Sequence, residues 1–220
     1  NAADALTSGA CNVAIGENAL GAATTGVKNI AIGTTAMGTG ITVIGGGATG
    51  CDNIAIGTSA GLAITTGTNN IAMGLTSGDA LTTGTDNIAI GRLAFSASTD
   101  GADNIAIGRS ALSVSGNDAD LNIAIGRHAL GAADVSGASN VAIGARVSCN
   151  LTSGACNIAI GTNATDALTT GCINVAIGFN ALGASTTGIC NIAIGHLALG
   201  TGVTTGNRNI AIGDRAACVL

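Results

Sequence analysis

The sequence contains no proline, no tryptophan and no tyrosine, and its phenylalanines are Phe95 and Phe179 alone. A core built on large aromatic side chains is excluded, so the chain must bury Ile, Val, Leu and Ala instead. Charge is also scarce: 9% of residues are charged, against 47% hydrophobic. Such a chain is poorly soluble unless its apolar surface is covered by itself or by copies of itself, which points to an oligomer. With a net charge of -5, and only Lys28 and six arginines as permanent cations, clustered phosphate neutralisation is excluded and nucleic acid is not an expected partner. Long apolar runs are missing too. Ala167 to Asn207 carries no Asp, Glu, Lys or Arg, but Gly, Thr and Asn interrupt it every few residues, whereas a membrane helix takes about 20 apolar residues. Membrane insertion is not expected. Glycine is abundant without the G-X-Y period of collagen, and the Ile and Val content is too high for a disordered linker. The chain opens at Asn1 rather than at a methionine and reads as a piece of something longer.

What is present is a repeat. The pattern N-[IV]-A-[IM]-G recurs with anchors at Asn12, Asn29, Asn53, Asn70, Asn87, Asn104, Asn122, Asn140, Asn157, Asn174, Asn191 and Asn209, in steps of 17 or 18 residues except for one of 24. That long step, from Asn29 to Asn53, holds a worn copy at Ile41 to Gly45, which divides it into two steps of 12. Periods of this size signal a solenoid or array. Within one copy, Ile54 and Ile56 share one side of an extended segment, and Asn53 and Ala55 the other. Both sides are nearly apolar, as in a strand buried on both faces of a parallel stack.

A second short element follows each strand, clearest as Asn18-Ala19-Leu20 and Asn180-Ala181-Leu182, and then a polar link such as Thr65-Thr66-Gly67 or Thr169-Thr170-Gly171. Glycines close each strand and recur three residues before most anchors, for example Gly50, Gly67 and Gly171; the Asn122 copy has Ala119 there. Two glycines per period suit a coil of strand, corner, short strand, corner, with both corners at positive φ. The expected fold is all-β: one parallel β-solenoid domain over 1–220 with about 13 coils, roughly 60 Å long at a coil spacing of about 4.8 Å. The anchor asparagines then lie one above another, either passing amide hydrogen bonds from coil to coil or serving as turn residues.

The motif, a small-residue segment and a glycine turn together resemble the head repeats of trimeric autotransporter adhesins, in the longer N-I-A-I-G-x-x-A-L-x-x-x-T-T-G form of phage and viral fibre proteins. The resemblance covers nearly the whole chain. It implies a left-handed parallel β-roll and a side-by-side homotrimer around an apolar centre, although the periods here exceed that of the adhesin-head repeat. One strand face would then fill the coil and the other the trimer axis.

Few residues offer chemistry. His128 and His196 are the only histidines and lie four coils apart, roughly 20 Å along a stack, so no catalytic group, cofactor or metal site is expected. Repeat arrays place recognition where the repeat varies. Five residues after the anchors the column reads Glu17, Thr34, Thr58, Leu75, Arg92, Arg109, Arg127, Ala145, Thr162, Phe179, His196 and Asp214. Arg92, Arg109 and Arg127 in successive coils repel unless water, a carboxylate or a bound anion intervenes. Asp100, Asp103, Asp118 and Asp120 are candidate partners. Either these arginines, with His128 and His196, contact an anionic host glycan, or they form a solvated ladder whose ion pairs contribute little.

Of the seven cysteines, Cys156, Cys172 and Cys190 precede consecutive anchors by one or two residues and Cys11 and Cys51 are isolated; no metal spacing such as C-x-x-C occurs. Free thiols suit a fibre assembled in a reducing cytoplasm, as phage particles are. Asn150-Leu151-Thr152 and Asn163-Ala164-Thr165 are weak sequons. The expected role is a homotrimeric structural segment of a viral or phage tail fibre or surface adhesin, extracellular or on the virion, with host glycan or receptor as partner. Two alternatives are an extracellular filament joined through open solenoid ends and an ice-binding solenoid. Against ice binding, the threonines are adjacent rather than alternating, so only one of each pair can join a flat rank.

Overall fold

The computed structural model describes residues 1–22, 25–38, 50–116, 120–201 and 206–218. Among these the chain is all-β, with twelve three-residue strands and no helix, and it divides into two compact units, Asn1–Arg109 and Ser110–Leu220. The N-terminal unit holds β1 (Val13–Ile15), β2 (Ile30–Ile32), β3 (Ile54–Ile56), β4 (Ile71–Met73), β5 (Ile88–Ile90) and β6 (Ile105–Ile107). The C-terminal unit holds β7 (Ile123–Ile125), β8 (Val141–Ile143), β9 (Ile158–Ile160), β10 (Val175–Ile177), β11 (Ile192–Ile194) and β12 (Ile210–Ile212). Within each unit every strand pairs in parallel with the next, Ala on Ala, as in Ala55↔Ala72 and Ala142↔Ala159. Each unit is a parallel β-solenoid with one strand per coil.

The coil count is corrected at the long step. β2 pairs directly with β3, Ile30 opposite Ile54, and the Asn53 amide donates to Asn29 Oδ1 at 3.1 Å. No coil fits between strands hydrogen bonded to each other, so the long step is one enlarged coil rather than two short ones. The physical reason is visible in the sequence: the worn copy has Ile41 where other copies have an anchor asparagine, so it has no amide to pass on. Ile41 to Gly45 itself lies outside the described residues, as do Asp118, Ala119, Thr24, Thr204 and Thr205.

The expected second strand is absent from the described residues. Its place is taken by turns in which the sixth and eighth residues after the anchor are left-handed, for example Asn18 (φ 54°) and Leu20 (φ 51°), or Asn180 (φ 50°) and Leu182 (φ 53°). The residue before the anchor is also left-handed, even where it is Ile173 (φ 58°). Such a conformation costs an L-residue about 1 kcal/mol or more. It turns each N–H along the stack, where it finds a carbonyl of the neighbouring coil: Leu182 donates to Ala198 O at 2.9 Å, Asn180 to Thr162 O at 3.1 Å and Ile173 to Ala155 O at 3.0 Å. A net gain of about 1 kcal/mol per bond offsets the strain. The coil thus keeps its neighbour contacts through the turns as well as through the strand.

Glycine has two separate functions here. The strand-closing glycines have φ near that of Gly161 (+130°), a region essentially closed to other residues, and a Cβ there would lie 2.5 Å from Gly178 O. The glycines before the anchors do not adopt positive φ, which corrects the expectation for that corner. They are required because the neighbouring coil approaches too closely: a Cβ on Gly84 would meet Gly101 O at 2.4 Å.

The interior is narrow. The strand alanines, among them Ala55, Ala106, Ala142 and Ala176, are 0% exposed, as are Ala60, Ala111 and Ala181 on the facing turn. Larger side chains enter at one of two positions but not both. Where the eighth residue after the anchor is Phe95 or Leu182, the eleventh is Ser98 or Ser185; where the eighth is Gly61, Gly78, Ser148 or Thr165, the eleventh is Ile64, Leu81, Leu151 or Leu168. In these coils the swap keeps core volume similar, while the Asn122 coil buries Leu130 and Val135 together.

Candidate functional site

The anchor asparagines form buried ladders inside each unit. Asn70 shows the full set: its backbone N–H and its Nδ2 both donate to Asn53 Oδ1 at 3.0 Å, and Nδ2 also donates to Gly84 O at 2.8 Å. Asn157 repeats this on Asn140 Oδ1 and Gly171 O. Most are about 1% exposed or less, so each buried amide is satisfied by the coils on either side. Of the two readings of the asparagine column, the geometry is that of the ladder, and the column is internal.

The other side of the strand faces outward, correcting the expectation that both faces are buried in the chain. In the N-terminal unit Val13 is 43% and Ile15 58% exposed; in the C-terminal unit Ile158 is 41%, Ile210 70% and Ile212 67%. Alanine takes the inward side of each strand, so each coil presents outward a pair of apolar side chains, Ile or Val followed by Ile or Met. Stacked coils turn those pairs into a two-residue-wide apolar ladder on each unit.

The variable column after the strand lies beside this ladder. Arg92 and Arg109 are exposed in the N-terminal unit, and Arg127 is exposed in the C-terminal unit. Among the described residues Asp100 and Asp103 do not pair with Arg92 or Arg109. The aspartates precede the strand and the arginines follow it, so the two sets do not meet. His128 and His196 follow β7 and β11, four coils apart, and are not brought together.

Three members of the column do come together, in a group the sequence reading did not single out. Phe179 and His196, in successive coils, stack with ring centres 5.6 Å apart and planes 28° from parallel. His196 Nδ1 lies 2.7 Å from Asp214 Oδ1 in the next coil. Phe179 is 47% exposed, whereas Phe95 is fully buried. A second group joins His128 to turn residues that the sequence did not mark: His128, Ala132, Arg146, Cys149 and Asn150 line an open cleft of about 220 Å³. Asn150 Nδ2 donates to Asp166 O at 2.7 Å. Burial pushes the Asp166 carboxyl up from its usual range, against the pull of Arg146. Burial likewise raises the Cys149 thiol, with Arg146 opposing and Asp166 adding to the shift. The thiol is therefore held in its protonated, weakly nucleophilic form.

All seven cysteines are unbridged; Cys11 and Cys156 are exposed and Cys149 is buried. Among the described residues no cluster of three metal-ligating side chains occurs, and no helix is long and apolar enough to cross a membrane. In several described links the first threonine is committed internally: Thr65 Oγ1 donates to Thr82 O at 3.0 Å and Thr169 Oγ1 to Thr186 O at 3.0 Å. Only the second, as in Thr66, Thr83, Thr170 and Thr187, is exposed. A single rank of hydroxyls is a poor template for ice. Comparison with protein-family models, with curated proteins and with solved structures finds no match.

Proposed function

We propose that the chain is a structural segment of a viral or phage tail fibre or a surface adhesin, working as a side-by-side homotrimer and contributing to attachment to a host cell. The observation that supports this reading is the outward apolar ladder. A stack of Ile pairs on a chain with 9% charged residues is a surface made to be covered, and the resemblance of the repeat to trimeric adhesin heads supplies the partner: two further copies around a common axis. Left-handed coils belong to the same proposal. A cell-surface or virion location follows from the role, and the variable column beside the ladder is left as the surface available to a host receptor. The reading includes no catalytic step and no cofactor.

Light scattering coupled to size exclusion tests it. A particle of three times the 20.7 kDa chain mass is expected. A single chain contradicts the proposal, and an open-ended distribution of masses favours filament formation instead.

A further inference from the structure

We propose that the C-terminal unit carries a binding site for a short acidic oligosaccharide, lying along the column from Arg127 to His196. The inference deepens the attachment role proposed above and rests on it. Arg127, Ala145, Thr162, Phe179 and His196 occupy the same position in consecutive coils. Their register is fixed by the next residue's N–H in each following coil: Arg146 to Arg127 O at 2.9 Å, Asn163 to Ala145 O at 3.1 Å, Asn180 to Thr162 O at 3.1 Å and Leu197 to Phe179 O at 2.9 Å. Three coil steps separate Arg127 from Phe179, about 14 Å. The short Ala145 and Thr162 occupy that interval, between a cationic end and an aromatic end.

The two ends offer complementary chemistry. Phe179 is 47% exposed; His196 stacks on one side of its ring, and Thr162 holds the same position in the coil on the other side. An uncovered aromatic face takes the C–H face of a pyranose, while the hydrogen-bonded His196 and Asp214 beside it provide polar groups for sugar hydroxyls. At the opposite end Arg127 has no carboxylate partner among the described residues, and Arg146 and His128 line the adjoining cleft with Asn150. Asp166 offsets part of the Arg146 charge, leaving Arg127 as the stronger attraction for a sugar carboxylate. The length of the interval selects an oligosaccharide over a single sugar, and the cations select an acidic one.

Saturation-transfer NMR and calorimetry on the full chain test this with hyaluronan tetrasaccharide and sialyllactose as acidic probes and chitotetraose and lactose as neutral counterparts. At least one acidic probe is expected to bind more tightly than its neutral counterpart. Phe179→Ala, and separately Arg127→Gln with Arg146→Gln, are each expected to weaken binding about tenfold while melting as the parent does. Failure of both acidic probes to bind, equal binding of the neutral sugars, or parent-like binding by the variants overturns the proposal. Particle mass measured on the same samples separates this result from the fibre reading: a trimer without sugar binding removes the site alone, and a monomer that binds removes the trimer alone.

Discussion

The two faces of each three-residue strand differ in the reverse of the usual sense. At β9 the inward residues are Ala159 and, just before the strand, Asn157, at 0% and 1% exposure, and the outward ones are Ile158 and Ile160, at 41% and 36%. A polar amide and a methyl group are inside while the branched hydrocarbons are outside. Coil width decides the first half: a 17-residue coil with one short strand encloses a space that alanine fills, and the amide is tolerated because the coils above and below satisfy it. The second half has no explanation within one chain, since burying an Ile side chain contributes about 1.5–3 kcal/mol that is not realised in full here. That asymmetry is the main physical argument for assembly.

The contrast can be broken from the inside first. Asn157→Leu removes the acceptor of the Asn174 N–H and amide and the donor to Gly171 O, and is expected to cost about 3–5 kcal/mol in denaturant unfolding. Leu182→Gly empties a fully buried position and is expected to cost about 3 kcal/mol or more. Adding Ser185→Leu is expected to recover most of that loss, as the swap between these positions in other coils requires; a double variant no better than the single one contradicts the volume rule. On the outside, Ile158→Lys with Ile160→Lys is expected to change the unfolding free energy of an isolated chain by less than about 1 kcal/mol and to abolish the trimer, read from particle mass.

The smallest effect concerns charge. Burial raises the Asp79 carboxyl above its usual 3.8, only partly countered by backbone N–H groups, and its Oδ1 is shielded without a partner. A raised carboxylate means the native state holds the proton more tightly than the unfolded state, so stability falls as pH rises from 3.8 through the native value and then levels. Asp79→Asn is therefore expected to raise the melting temperature relative to the parent near pH 7, with little difference near pH 3. An equal shift at both values contradicts the assignment.

Much of this architecture is legible in the sequence because a repeat fixes register by itself: the anchor spacing gives parallel in-register strands without any knowledge of the turns. Which face is interior is not legible from the strand, since Asn-Ala and Ile-Ile are both plausible linings until the opposite wall is known to be another row of alanines. The second element, as in Asn180-Ala181-Leu182, reads as a short strand between two glycine corners, but left-handed residues at Asn180 and Leu182 turn the chain there instead. The enlarged coil between β2 and β3 is legible in hindsight from Ile41, which lacks the amide the ladder needs. Within the candidate site, the Phe179, His196 and Asp214 group was available from the 17- and 18-residue steps. The cleft at Arg146 was not, because its lining comes from turn positions whose directions the strand period does not set.

Particle mass in solution tests the central claim most directly, that the outward isoleucines are covered by two copies of the same chain. The account predicts three times 20.7 kDa for the parent and one chain for the Ile158→Lys, Ile160→Lys variant. A parent that runs as a single folded chain at working concentrations contradicts it.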